Sequence, residues 1–112
     1  MKNKNPAADT GIRPEVIAAI RETAEKYGIE RVILFGSRAR GDFQRTSDID
    51  LAVSGGDFVR FAIDVDEETP TLLKYDFVDL NSDVQKDLLT EIQKDGRIIY
   101  EKIRISAWHW KI

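Results

Sequence analysis

The sequence predicts an α/β (α+β) domain with one mixed β-sheet and helices packed on it, and three observations predict it. Short β-branched and aromatic runs recur at Arg31 to Phe35 (RVILF), Ile49 to Val53 and Tyr75 to Leu80 (YDFVDL), each the length of a buried strand. The segments between and around them carry apolar residues at helical spacing. Glycine or serine closes most of these runs: Gly28, Gly36, Ser54 with Gly55 and Gly56, and Gly96.

Taken in order, residues 1–12 are small and polar without an apolar period, and are expected to form a loose arm. Pro14 suits the first turn of a helix, and Ile17, Ile20, Ala24 and Tyr27 then mark one amphipathic face. After the first two strands, residues 57–70 read as a helix carrying Phe58, Phe61 and Ile63, with its acidic stretch from Asp64 to Glu68 on a solvated face. Ser82 with Gln85 has the spacing of a capping box for a helix that places Val84, Leu88 and Ile92 on one side. Arg97 to Ile103 reads as an edge strand. The expected organisation is an arm at 1–12, a domain at 13–103 and a tail at 104–112.

At 112 residues the chain is expected to hold one core and to be too small for two. Hydrophobic residues make up 42% and charged residues 33%, the balance of a soluble globular protein. A net charge of −3 disfavours direct nucleic-acid binding, which draws its affinity from a basic face. The chain has no cysteine, so disulfides and thiolate metal sites are excluded. No apolar run approaches the roughly 20 residues that span a bilayer, and no leader is evident. The expectation is a cytoplasmic protein with no membrane association.

The chemistry concentrates between Phe35 and Leu51, FGSRARGDFQRTSDIDL. Asp48 and Asp50 open a strand, and because side chains alternate across a strand both point to one face. Two unpartnered carboxylates side by side repel each other, and a hard dication relieves that repulsion. Mg²⁺, or Mn²⁺ in its place, suits one or two carboxylates completed by substrate phosphates. Gly36 and Ser37, directly after the preceding strand, supply the complementary half: glycine admits a phosphate close to the backbone, and the serine hydroxyl and neighbouring amides can bind its oxygens. Arg38 and Arg40 add positive charge, to screen phosphates or to hold the loop. Asp76 or Asp79 offers a third carboxylate, which would make a two-metal arrangement feasible. Gly-Ser pairs and Asp-x-Asp strands are each commonplace; their coincidence at this spacing carries the signal.

Strand, Gly-Ser, a short gap and then Asp-x-Asp opening an apolar strand resembles the nucleotidyltransferase superfamily that includes DNA polymerase β. GSRARG followed by SDIDL is similar to its minimal MNT branch, and the resemblance runs from Pro14 to about Ile103. It implies the nucleotidyltransferase fold, ATP as substrate, Gly36 and Ser37 at the nucleotide, where the charges of Arg38 and Arg40 would join them, and Asp48, Asp50 and Asp76 as metal-binding and catalytic residues. In a regular strand Asp76 shares a face with Val78 and Leu80 while Asp79 shares the other with Phe77, so only one of the two aspartates can look into the site. The resemblance further implies an antitoxin of the MntA type that adenylylates a hydroxyl of a HEPN-family toxin. Two other readings remain: a module that neutralises its partner by contact, and a small-molecule nucleotidyltransferase whose acceptor site forms within a homo-oligomer. Trp108, His109 and Trp110 in the tail are read as packing residues, and Arg45 and Lys74 as ordinary solvated charges.

Overall fold

A computed structural model of the protein describes residues 7–103. Helix α1 spans Pro14–Lys26, strand β1 Arg31–Phe35, helix α2 Ser37–Arg40, strand β2 Ile49–Ser54, helix α3 Phe58–Glu68, strand β3 Tyr75–Asp79, helix α4 Lys86–Asp95 and strand β4 Arg97–Glu101. The four strands form one sheet in the order β3-β2-β1-β4. Strand β1 runs antiparallel to β2 and to β4, whereas β2 and β3 are parallel, so the sheet is mixed as expected.

Alternation assigns each face. Ile49, Leu51 and Val53 of β2, with Val32 and Leu34 of β1 and Ile99 of β4, enter the larger core beside Val16, Ile17, Ile20 and Ala24 of α1 and Phe61 and Val65 of α3. Both helices therefore cover this face. Phe77 of β3 meets Phe61 edge-on at 6.2 Å and Phe58 at 6.5 Å, which seats α3 over the parallel pair. The opposite face carries a smaller cluster, Phe35, Ala52 and Ile92 with Ile33, Val78, Leu80 and Leu88 around them. Its cover is α4, whose Leu88 and Ile92 lie one turn apart.

Three local expectations are corrected. The Ser82–Gln85 capping box does not form: Ser82 Oγ donates to the Asp79 carbonyl at 2.7 Å, and Gln85 caps α4 without a side-chain bond. A serine next to a turn finds a local carbonyl first, so α4 starts at Lys86 and Val84 precedes it. Strand β4 stops at Glu101, short of Ile103. The expected loose arm is packed where it is described: Thr10 is buried, Ile12 and Ala7 touch the larger core, and the Ala8 and Thr10 carbonyls accept bonds from arginines. Main-chain acceptors anchor this segment, and a side-chain pattern does not show them. Residues 1–6 and the tail with Trp108, His109 and Trp110 lie outside the described residues.

Candidate active site

Antiparallel β1 ends where β2 begins, and parallel β3 begins beside β2. The Gly36–Ser37 corner, Asp48 with Asp50, and Asp76 therefore share one end of the sheet. Phe35 pairs with Asp50, and Asp50 pairs with Asp76. Partners in register share a face, so both aspartates stand on the α4 side, next to Phe35 and beyond Ala52 and Val78. Asp48 lies two residues upstream of Asp50, exposed at the mouth, while Ile49 between them is fully buried in the core.

The carboxylates sense one another. Burial first, then the charges of Asp76, Asp48 and Glu91, push Asp50 up from 3.8 to about 6, against a smaller opposing pull from Arg40. Asp79, the competing aspartate, pairs in register with Val53 and so lies on the other face. Its Oδ1 accepts the Asn81 amide at 2.9 Å, the bond of a turn residue. Among the described residues no three ligand side chains are drawn together closely enough to hold a metal by themselves.

Gly36 joins the Gly36–Ser37 corner to this group. Its φ of 76° and ψ of −158° belong to a region that only glycine enters readily, and a Cβ there would collide with Asp50 Oδ2. Ser37, half-buried, then opens α2, with the Gly36 carbonyl accepting the Ala39 and Arg40 amides, each at 3.1 Å.

The two arginines part company. Arg38, expected at the nucleotide, is 1% exposed. Its guanidinium donates to the carbonyls of Thr10 at 2.8 Å, Ser47 at 3.0 Å, Arg45 at 3.1 Å and Gln44 at 3.4 Å, and lies 4.8 Å from the centre of the Phe43 ring. Those bonds occupy its fork, so this side chain holds the loop, the second of the two roles expected of it. Arg40 is exposed at the same turn and meets Asp42 and Glu91, each at 3.3 Å. Arg97 was not singled out from the sequence, yet its Nε donates to the Ala39 carbonyl at 3.0 Å and its Nη1 to that of Ala8 at 2.6 Å. No local motif marks an arginine that acts across the fold. Beside Asp48 opens a groove of about 500 Å³ lined by Thr46, Leu72, Leu73 and Lys74.

Among the described residues no helix is long and apolar enough to cross a membrane. The family model described as Polymerase beta, Nucleotidyltransferase matches residues 18–104. Two proteins of Methanocaldococcus jannaschii, both provisionally named protein adenylyltransferases, are similar to the chain. One is 37% identical over 82 residues, covering 64% of this chain and 79% of the relative. The other is 33% identical over 75 residues, covering 63% and 74%. The fold is shared with a crystallised toxin-antitoxin with AMP-PNP, at a TM-score of 0.63 and 23% identity over 77% of this chain and 73% of that one. A mutant MntA-HpeT toxin-antitoxin aligns at a TM-score of 0.61 and 21% identity over the same shares, 77% and 73%. With the match extending over most of its length and these relatives beside it, the chain belongs to the polymerase beta family of nucleotidyltransferases.

Proposed function

We propose that this nucleotidyltransferase transfers AMP from ATP to a hydroxyl of a partner protein, with release of pyrophosphate, and that the partner is a toxin of the HEPN family. The observation that carries the reading is the close approach of Gly36 to the Asp50 carboxylate, which leaves the Gly36–Ser37 corner directly beside Asp50 and its register partner Asp76. A protein acceptor is supported by the names of the two archaeal relatives, and a toxin by the solved complexes that share the fold.

The donor set suits Mg²⁺ or Mn²⁺: every candidate ligand is a carboxylate oxygen, and Asp50 is pushed up by burial and by its acidic neighbours, a penalty that a dication offsets. Asp48 and Asp50 would hold it, joined by Asp76, with triphosphate oxygens completing the shell. A bound dication would neutralise charge on the triphosphate and polarise the reacting phosphorus. Gly36 lets the chain turn beneath the β- and γ-phosphates, and the Ser37 hydroxyl and the first amides of α2 donate to their oxygens. Arg40 is exposed next to this corner and can exchange Asp42 and Glu91 for a phosphate oxygen.

The acceptor oxygen attacks the α-phosphorus, the bond from that phosphorus to the bridging oxygen of the β-phosphate breaks, and pyrophosphate carries away the electron pair. The hydroxyl proton passes to Asp76 and from there to water. In-line attack requires the acceptor opposite the leaving group, hence on the β3 side, where the groove beside Asp48 and Lys74 is open. The described residues leave this groove uncovered, and the partner would position that hydroxyl against it.

Label placement tests the reaction. ATP labelled at the α-phosphate should transfer label to the toxin, and γ-labelled ATP should label only pyrophosphate. Label on the toxin from the γ-position would replace nucleotidyl transfer with phosphoryl transfer, and label on small molecules alone would move the acceptor away from protein.

A further inference from the structure

Among the described residues Arg38 is the one charged side chain that is fully buried. Removing a guanidinium from water takes several kcal/mol, and an apolar side chain of similar volume would fill the space without that penalty. Burial lowers its pKa, and only the nearby Asp50 acts the other way. Among the described residues Arg38 has no carboxylate in an ion pair; its partners are the carbonyls of Thr10, Gln44, Arg45 and Ser47. Such a rigid fork joins three separate pieces of chain at once. One is α2, which carries Ser37. Another is the loop whose last residue, Ser47, directly precedes Asp48. The third is the segment from Ala7 to Ile12. Arg97 of β4 repeats the connection by holding the Ala39 carbonyl of α2 and the Ala8 carbonyl together. Gly11 closes the knot: its φ is +71°, and a Cβ there would come within 2.5 Å of Phe43 Cε2 and 2.8 Å of Arg38 Nη1.

We propose that Arg38 is a positioning residue, and that residues 7–12 are a working part of the active site, pinned through Arg38 and Arg97 so that Asp48 is held at a fixed distance from the Gly36–Ser37 corner. The functional half rests on the reading of Asp48 as a metal ligand. The mechanical half, that the Thr10 segment immobilises the 42–48 loop, stands on geometry alone. A side chain that orients a ligand-bearing loop acts on metal affinity as an outer-shell partner does, by about 10- to 100-fold.

Two variants of the full chain test it. Gly11→Ala wedges the segment away while leaving Arg38, the Gly36–Ser37 corner and the three aspartates unsubstituted, and Arg38→Lys keeps the charge but loses the fork. Val65→Ala, on the core-facing side of α3, serves as a control for general loss of stability. Hydrogen exchange is followed at residues 42–48, where the Ser47 amide is bonded to the Gln44 carbonyl at 3.0 Å, and Mn²⁺ binding in the presence of ATP is followed by electron paramagnetic resonance. The expected result is at least about tenfold faster exchange over 42–48 and about tenfold weaker Mn²⁺ binding in both site variants, with neither change in Val65→Ala. Exchange and Mn²⁺ affinity as in the wild type would overturn the proposal, as would the same changes in the control. If the wild type binds no Mn²⁺, the metal role of Asp48 falls on its own and the exchange rates still decide the knot. Should Arg38→Lys fail to fold, Gly11→Ala retains Arg38 and carries the test.

Discussion

Replacing Asp50 by asparagine is expected to stabilise the metal-free protein above about pH 6 while removing its activity. The carboxyl titrates at about 6 in the folded chain and near 3.8 when exposed. Below the lower value the carboxyl is protonated in both states and costs nothing. Between the two, the unfolded chain ionises freely while the folded chain retains its proton, so stability declines as pH rises. Above about 6 the penalty is complete. At about 1.4 kcal/mol per pH unit the gap from 3.8 to about 6 amounts to about 3 kcal/mol at most. Asp50 is only half-buried and its acidic neighbours Asp48 and Asp76 are exposed, so screening reduces this to about 1–2 kcal/mol. Asparagine is close in size and does not ionise. In a domain of about 100 residues the gain is a rise in Tm of about 5–10 °C. Thermal unfolding followed by circular dichroism in EDTA, from about pH 4 to about pH 8, reads it out. The two melting curves should converge near pH 4 and separate as pH rises, and Mg²⁺ with ATP should stabilise the wild type alone. A variant no more stable at pH 8, or one whose gain is independent of pH, would refute the carboxylate repulsion that makes this site suitable for a dication.

Other outcomes follow from single contacts. Gly36→Ala puts a methyl group into Asp50 Oδ2 and a Cβ on a backbone that tolerates none, so transfer is expected to fall on the order of 100-fold, measured as AMP incorporation under saturating ATP. Asp76→Asn is expected to reduce transfer by about 100-fold or more while Asp79→Asn leaves it near the wild-type rate; the reverse ranking in the same assay would exchange their roles. Phe61→Ala, at a fully buried ring packed edge-on to Phe77, is expected to cost about 3–5 kcal/mol in urea unfolding, and a loss below about 1 kcal/mol would deny that α3 is held by this contact.

How much of this was legible in the sequence depends on which contacts repeat at short range. RVILF is β1, and the alternation of Asp48, Ile49 and Asp50 indicates one core-facing side chain flanked by two that are not, because a strand has a period of two residues. The same parity separates Asp76 from Asp79. It does not say which of them faces Asp50; that follows from the register of a parallel pairing between strands far apart in sequence. Arg38 was legible as a charge near the motif, but its bonds run to main-chain carbonyls as far away as Thr10, and carbonyls are the same in every residue. For that reason Ala7 to Ile12 looked like an arm. Ser82 misled in the opposite way, since its cap spacing was real but the Asp79 carbonyl was nearer.

The central claim is transfer of AMP to a protein, and intact mass measurement tests it most directly. The chain is coexpressed with the product of the neighbouring gene, and the mass of that partner is compared between the wild type and Asp48→Asn. The partner is expected to gain one or more AMP masses with the wild type and none with the variant. A partner that is silenced while its mass stays unchanged would contradict that claim and leave neutralisation by contact in its place.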